Sequence, residues 1–425
     1  MTEHSDGVLF GVTALRPHSL SFTLLLGSLV TLASFATDMG LPVLGDTARA
    51  LGVSPSTAAL SLSVFIAGFA VGPLVFGPLS DRIGRRPVLL GGCAAFAFFG
   101  ALGAFANSIE TLLLWRTLMG IGAGTVHVLV LATVRDLFTG REARTKQAYV
   151  NMAGGIAPII APTLGMMIAG VGGWRAIYGV LAAGGIALFL AATLRLGETA
   201  PRMGDRLTLR RTLANYGRVI RNPISFGNTL VVAFSFGSLF AFVSGSSLVL
   251  IGVLGASQRT YGLLFALTSL GLMSGAFTSA RLTRRGVAAS RLIITGLVVS
   301  ALVSVVLLVV SASGWLSVAT FLPLVITGNI ATGMMRPNAA QGALEQMPDI
   351  VGVASALLSG MQMLIGAIAS ATAASLFDGR TALAMTGTMA VCSIAAAVAY
   401  AMLVRSAELR VATASASRSE SAFAA

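Results

Sequence analysis

Long apolar segments alternate with short polar ones along almost the whole chain. A helix that crosses a bilayer needs about 20 mostly apolar residues. Barrel strands would be shorter and strictly alternating, and over runs of this length only helices satisfy the backbone in lipid. The pattern therefore predicts an all-α integral membrane protein with twelve transmembrane helices. They lie near residues 19–41, 57–79, 87–107, 111–134, 147–170, 175–195, 224–249, 258–280, 289–310, 315–335, 350–375 and 382–404.

The longest polar stretch divides these segments into two sets of six. We therefore expect two six-helix bundles joined by a cytoplasmic central loop, with a cytoplasmic segment at each terminus. The boundaries are 1–18 for the N-terminal segment, 19–195 and 224–404 for the bundles, 196–223 for the loop and 405–425 for the tail.

An internal repeat supports two related halves. A group of arginines follows the second segment and recurs 199 residues later, after the eighth, as does one glycine; the match fails at Asp81, whose counterpart is Ala280. Parallel repeats of this kind build transporters that bind substrate between their halves. The matched positions are Arg82 with Arg281, Arg85 with Arg284, Arg86 with Arg285, and Gly72 with Gly271.

Composition narrows the class of protein. Only 10% of the 425 residues are charged and 56% are hydrophobic, whereas a soluble domain carries about 25% charged residues. This excludes an ordinary soluble enzyme, and it also excludes disorder, which needs the reverse composition.

The net charge of +13 raises the question of a nucleic-acid partner. If both termini are cytoplasmic, 23 of the 28 basic residues fall on the cytoplasmic side, Arg336 among them, and four fall outside. Positive charge collects on the cytoplasmic side of bacterial membrane proteins. We therefore interpret the charge as a topology signal and expect no nucleic acid.

Few residues point to chemistry other than transport. Cys93 and Cys392 lie in apolar segments and show no disulfide or metal-ligating pattern. The chain has no Gly-x-x-x-x-Gly-Lys loop, so direct ATP hydrolysis is not expected. The first 17 residues lack the pattern of a cleaved signal peptide. We expect no cofactor or metal, and a proton gradient as the energy source.

The most specific motif runs from Gly77 to Pro87, between the second and third segments. Its sequence suggests that Gly77 permits close helix approach, Gly84 permits a reversal and Pro87 suits the start of a helix. Asp81 is placed to accept hydrogen bonds from backbone N–H groups or from the loop arginines. A pure topology signal would need the arginines but neither the glycines nor Asp81. The motif reads Gly77-Pro78-Leu79-Ser80-Asp81-Arg82-Ile83-Gly84-Arg85-Arg86-Pro87.

This motif resembles the signature of the major facilitator superfamily. Other segments of the N-terminal half resemble its drug:proton antiporters, in particular the bicyclomycin/chloramphenicol-resistance (Bcr/CflA) branch, whereas the C-terminal half carries little specific signal. The segments are Thr37-Asp38-Met39-Gly40-Leu41-Pro42, Arg116-Thr117-Leu118-Met119-Gly120-Ile121-Gly122, Val134-Arg135-Asp136-Leu137-Phe138, Ala157-Pro158-Ile159-Ile160-Ala161-Pro162-Thr163-Leu164-Gly165, Gly173-Trp174-Arg175 and Glu198-Thr199.

The resemblance implies a fold and several residue roles. It implies two bundles that rock about a central cavity, in a monomer of the bacterial inner membrane. It places a cytoplasmic latch on Gly77, Asp81, Arg82 and Arg86, and proton coupling on Arg116. It places the helix-5 pattern of antiporters on Pro158, Pro162 and Gly165, although members often have a second glycine where this chain has Met166.

Three ionisable residues within the predicted helices are candidates for proton coupling: Asp38, Arg116 and His127. Ionisable groups inside a membrane are costly and normally face a pathway. If Asp38 approaches Arg116, its protonation would weaken an ion pair and change which cavity opening is favoured. Alternatively, Asp38 meets water at the outer face and Arg116 snorkels to the interface. His127 follows Arg116 by about three turns and either shuttles protons or is simply a satisfied polar residue.

The substrate is expected to be a bulky amphipathic compound, since an apolar cavity with few polar groups suits such molecules. Candidate contacts are polar, aromatic or methionine side chains within the predicted helices, any of which could instead pack or face lipid. They are Phe35, Asn228, Phe236, Asn329, Met361, Gln362 and Met363.

The leading hypothesis is a bacterial inner-membrane pump that exchanges a drug or amphipathic metabolite for protons. A second hypothesis keeps the fold but makes the protein an importer or passive facilitator. A third is a membrane sensor or enzyme that transports nothing.

Overall fold

The computed structural model describes residues 15–199 and 209–410. The first half contains α1 (Leu20–Asp38), a 3-10 turn (Leu41–Val43), α2 (Leu44–Leu51), α3 (Pro55–Ile83), α4 (Arg85–Ala104), α5 (Ile109–Leu137) and α6 (Gly140–Arg195). The second contains α7 (Leu209–Arg221), α8 (Pro223–Ser247), a π-helical turn (Leu248–Val253), α9 (Gln258–Arg284), α10 (Ala289–Ala312), α11 (Val318–Glu345), α12 (Val351–Ser375), α13 (Leu383–Ala399) and a further π-helical turn (Tyr400–Arg405).

The chain is all-helical as predicted, and within the described residues eleven helical stretches are long and apolar enough to cross a membrane. One of them, in α6, covers 51 residues from Thr145 to Arg195. Its helix is interrupted at Gly172, with φ −134° and ψ 17°, and at Gly173, with φ 67° and ψ −173°. This break lies between the predicted segments 147–170 and 175–195, so α6 contains both of them.

The predicted central loop is partly helical, because α7 occupies Leu209–Arg221. Residues 200–208 of that loop, the N-terminal residues 1–14 and the tail residues 411–425 lie outside the described part of the chain.

Polar side chains define where several helices begin. The Ser54 hydroxyl accepts from the Thr57 N–H at the start of α3, and Asn222 accepts from Ser225 at the start of α8, where Pro223 occupies the first turn. Ser108 and Ser317 each form a reciprocal capping box with a threonine, Thr111 and Thr320. These caps satisfy N–H groups that have no partner within the helix.

Close packing through glycine recurs in both halves. In the first half, a Cβ on Gly120 of α5 would overlap the Phe65 carbonyl oxygen of α3; in the second half, a Cβ on Gly333 of α11 would overlap the Leu272 carbonyl oxygen of α9. Small residues let membrane helices approach closely enough for backbone contact. The close contact of α3 with α5 in the first half therefore recurs as the contact of α9 with α11 in the second half.

The glycines matched by the sequence repeat face the same pair of helices. A Cβ on Gly72 would lie 2.6 Å from the Ile121 carbonyl oxygen, and a Cβ on Gly271 would lie 3.1 Å from that of Ile326. The repeated glycine therefore has the same packing role in each half.

Hydrogen bonds locate one end of the first bundle. Leu15 N–H donates to the Arg195 carbonyl at 3.0 Å, and the His18 ring lies 2.7 Å from a Glu142 carboxylate oxygen. Arg86, just after the α3–α4 turn, donates to the Thr193 carbonyl near the end of α6. The start of α1, the start of α6, the end of α6 and the α3–α4 turn therefore meet at one end of the bundle. We call this the arginine-rich end.

Helices α3 and α12 show that both halves share this end. The hydroxyls of Ser63, early in α3, and Ser370, late in α12, are 2.8 Å apart, whereas Leu74 and Gly360 meet further towards the arginine-rich end. The two helices are therefore antiparallel, so the start of α12 lies at the end where α3 finishes.

Just before α12, Arg218 donates to Asp349 at 2.7 Å. This hydrogen bond lowers the pKa of the Asp349 carboxyl below its ordinary value.

Candidate functional site

A central cavity of about 590 Å³ lies between the two halves. Helices of both bundles line it, namely α1, α3, α5 and α6 from the first and α8, α9, α11 and α12 from the second. Most of its wall is apolar or aromatic, including Phe65, Phe69, Leu239, Phe240, Phe242, Phe265, Met273 and Met363. The volume and lining are typical of a site for a small organic ligand.

Contacts between the halves close the end of the cavity opposite the arginine-rich end. Gln258 donates to the Asp46 carboxylate at 3.0 Å, and Ser63 contacts Ser370. The cavity lining continues from these contacts towards the arginine-rich end, reaching Asn151 in α6 and Ala276 in α9. The cavity is therefore positioned to communicate with that end.

Asp38 ends α1 and lines the central cavity. Its side chain is buried, with 5% of the residue exposed. It is the one carboxylic acid among the described residues that line the cavity. The interpretation of Asp38 as a water-facing residue of the outer surface is therefore wrong.

Arg116 is also buried, with 4% exposed, so it does not snorkel to the interface. Its Nε donates to the Ser61 carbonyl at 3.3 Å, and its guanidinium lies 4.4 Å from the centre of the Phe65 ring. The ion pairs of the described residues do not include one with Asp38. Arg116 instead lines a separate cavity of about 20 Å³. Because Phe65 lines the central cavity and covers the guanidinium, the Asp38–Arg116 pair considered from sequence is not formed.

His127 lines the central cavity together with Asp38. Its ring centre lies 5.4 Å from that of Phe69. The structure thus brings two of the three proton-coupling candidates to one cavity and places Arg116 behind its wall.

Arg336 was assigned to the cytoplasmic side by its position after the predicted segment 315–335, and this assignment is wrong. Helix α11 continues to Glu345, and Arg336 lines the central cavity. Its Nη2 donates to Gln362 Oε1 at 3.1 Å, and its guanidinium lies 5.0 Å from the centre of the Phe236 ring. Pro337 and Gly342 follow Arg336, and such residues normally mark the end of a helix, so the sequence gives little signal that α11 continues.

The substrate-contact candidates divide by the direction in which they face. Phe236, Asn329 and Met363 line the central cavity, and Gln362 reaches it through Arg336. The structure places Phe35, Asn228 and Met361 outside the lining. Phe35 packs against the hydrophobic core, and the Asn228 amide donates to the Ile224 carbonyl of its own helix at 2.9 Å.

Comparison with known proteins places this architecture in a family. The family model described as Major Facilitator Superfamily matches residues 25–371. The chain belongs to the major facilitator superfamily. It is therefore a transport protein of the membrane and not an enzyme, and the family assignment made from sequence motifs is confirmed.

Similar proteins agree with this placement in the major facilitator superfamily. The MFS-type transporter YdgK of Bacillus subtilis is 31% identical over 83% of this chain and 88% of its own length. A bicyclomycin resistance protein homolog of Haemophilus influenzae is 29% identical over 90% of this chain and 96% of its own. The fold is similar to that of a bacterial homolog of the human lysosomal transporter Spinster, with a TM-score of 0.70 and 16% identity, covering 92% of this chain and 98% of the other.

The superfamily motif forms a helix end and a one-residue turn. Helix α3 extends through Asp81 to Ile83, and α4 begins at Arg85. Gly84 between them has φ +104°, a conformation that favours glycine. The reversal expected at Gly84 is confirmed.

Arg85 joins the α3–α4 turn to α5. Its guanidinium contacts Asp81 at 2.6 Å and Asp136 at 2.9 Å, and Ser80 accepts from it at 2.7 Å. Arg86 donates to the Thr193 carbonyl of α6 at 2.7 Å. Arg82, in contrast, is exposed. All of these partners lie in the first half.

Gly77 does not permit close helix approach. A Cβ at that position would meet no atom within 4 Å. The expectation that this glycine mediates a helix contact is therefore wrong for this structure, because its Cβ position faces open space.

Glu198 caps the N-terminus of α4. One carboxylate oxygen accepts from the Arg85 N–H at 2.8 Å and the other from the Arg86 N–H at 3.2 Å. A carboxylate at a helix N-terminus satisfies free N–H groups and complements the helix dipole. Glu198, which follows the sixth predicted segment, thereby links the end of α6 to the α3–α4 turn.

Replacing Glu198 with alanine is expected to destabilise the first half by about 1 kcal/mol, the usual effect of removing a helix cap. Thermal unfolding of the purified full chain in detergent measures this. Glu345→Ala is the matched control, since Glu345 is exposed and bonds Gln341 on its own helix. Equal unfolding temperatures for the two variants would contradict the capping role.

The helix-5 pattern lies where α6 passes the cavity and the end of α1. Pro158 lines the cavity, and Pro162 follows one turn later in α6. A Cβ on Gly165 would overlap the Met39 carbonyl oxygen, directly after Asp38. Gly165 therefore permits the contact between α6 and the end of α1.

Proposed function

We propose that this protein exports drugs or amphipathic metabolites from the bacterial cytoplasm in exchange for protons. The central cavity carries the proposal, because one mostly apolar chamber between the halves holds both Asp38 and His127. When the proton site and the ligand site lie in the same cavity, protons and substrate can bind there in turn, as exchange of one for the other requires. One proton crossing 100 mV contributes about 2.3 kcal/mol, which sustains a substantial substrate gradient.

The proposed orientation places the arginine-rich end in the cytoplasm, together with both termini. The excess of arginine at that end supports this orientation. The cavity is then closed towards the periplasm and faces inward. The glycine break in α6 supports counting that helix as two spans, which gives twelve in the inner membrane. A monomer contains the complete proposed pathway.

The name of the Haemophilus influenzae relative, a bicyclomycin resistance protein homolog, supports a drug as the exported molecule. Bicyclomycin and chloramphenicol-like compounds are therefore the first substrates to try.

The contact between Gln258 and Asp46 closes the proposed periplasmic side and must open during the cycle.

The testing experiment is a drug panel in an efflux-deficient host that expresses the full chain. We expect increased resistance to at least one compound, and loss of that resistance with a protonophore. Arg116→Ala is expected to reduce resistance because it removes the buried guanidinium from its position between Ser61 and Phe65. Accumulation of a compound that rises when the protein is expressed would instead indicate import.

A further inference from the structure

We propose that Arg336 is a specificity-determining residue of the central cavity. It would select substrates in which an aromatic or apolar body carries an anionic or strongly hydrogen-bond-accepting head group. This inference deepens the proposed function and rests on it, since it requires that substrates occupy this cavity.

The guanidinium of Arg336 is held in a fixed orientation. Gln362 accepts from Nη2 at 3.1 Å, and the Phe236 ring lies against the guanidinium at 5.0 Å. Phe240 continues this aromatic surface, with its ring centre 4.4 Å from that of Phe236. A donor group beside an aromatic surface is suited to a ligand that has an acceptor next to a ring.

Arg336 has hydrogen-bonding capacity to spare. Its Nε is buried without a partner, and the ion pairs of the described residues do not include it, whereas they join Arg49, Arg85 and Arg218 to carboxylates. Arg336 is partly buried, and a charge that lacks a carboxylate partner is costly there. A ligand that brings an acceptor would therefore gain a charge-assisted hydrogen bond of the stronger kind.

The charge of Arg336 is also constant. Asp38, which lines the same cavity from the other half, changes its charge whenever it binds or releases a proton in the proposed cycle. An arginine remains protonated throughout. Arg336 therefore repels cationic ligands in every state of the cycle, which is how a site excludes a class of molecule as well as selecting one.

Two probes of equal size and opposite charge test this inference: 2-naphthoate and 2-naphthylmethylammonium. Their equilibrium binding is measured on the full chain in nanodiscs without a proton gradient, with empty nanodiscs subtracted. We expect the wild type to prefer naphthoate. Arg336→Gln should weaken naphthoate binding by about tenfold, the effect of losing one charged contact, without weakening binding of the cation. Arg336→Lys should restore part of the preference.

Arg291→Gln is the matched control, because Arg291 is exposed at the start of α10. This substitution is expected to leave both affinities unchanged. Gln362→Met provides a second route if Arg336→Gln does not fold, since it removes the acceptor that orients the guanidinium and should reduce the naphthoate preference. Equal wild-type affinity for the two probes, or a parallel loss of both in Arg336→Gln without rescue by lysine, would overturn the inference. Proton-driven export of chloramphenicol or bicyclomycin by the wild type, measured separately, would leave the proposed function standing in that case.

Discussion

Replacing Asp38 with asparagine is expected to abolish proton-driven export while the protein stays folded in the membrane. The amide has nearly the same shape as the carboxyl but does not exchange a proton near neutral pH. Asp38 is buried and is the one carboxylic acid among the described residues lining the central cavity. His127 lines the same cavity but gains a positive charge on protonation and does not neutralise a negative one, so we expect it not to replace Asp38 in coupling.

The geometry changes how this coupling is expected to work. Arg116 is separated from the cavity by Phe65 and bonds the Ser61 carbonyl, so protonation of Asp38 does not break an ion pair with Arg116 in this conformation. Protonation changes the charge of the cavity wall itself. The cavity is then less costly to close, because a neutral carboxyl is cheaper to keep from water.

The effect of Asp38→Asn on coupling is measured as proton release from everted membrane vesicles. Drug added to energised vesicles should release protons from the wild type and none from Asp38→Asn, whereas exchange of labelled for unlabelled drug should continue in both. Glu110→Gln, at an exposed site early in α5, is the control for replacing an acid with an amide. Full proton-driven export by Asp38→Asn would refute the role proposed for this residue.

Much of the fold could be predicted because it depends on local patterns. Helix positions follow from runs of apolar residues, and the break at Gly172 and Gly173 lies between two such runs. The turn at Gly84 follows from a glycine between helix-forming segments. These features need only information from neighbours in sequence.

The composition of the cavity wall could not be predicted in the same way. Phe35 and Phe236 look equivalent in sequence, but packing turns Phe35 into the core and Phe236 towards the cavity. Arg336 was missed because a charged residue near the end of an apolar run resembles a helix boundary, although α11 continues to Glu345. The separation of Arg116 from Asp38 depends on the ring of Phe65 on a third helix. Helix rotation and contacts between helices decide these features.

The substitution Gly165→Ala is expected to destabilise the protein and to reduce transport strongly, although it adds one methyl group. That methyl would overlap the Met39 carbonyl oxygen. Since the obstacle is backbone, a rotamer change does not relieve it, and α1 or α6 must shift. Gly27 and Gly154 pack at the same helix pair, each with a Cβ position within 3.3 Å of the other helix, so the shift would disturb a long contact. Overpacking of this kind typically costs about 1–3 kcal/mol.

The control is Gly170→Ala in the same helix, where an added Cβ meets no atom within 4 Å. Because alanine favours a helix over glycine by about 1 kcal/mol, this variant should be as stable as the wild type or more so. Thermal unfolding of both variants in detergent, with drug export in vesicles, separates the effect of local packing from that of helix propensity. Since Met39 directly follows Asp38, we expect Gly165→Ala to impair export even at temperatures where it remains folded. Normal stability and normal export in Gly165→Ala would show that α1 and α6 do not depend on their close approach at this point.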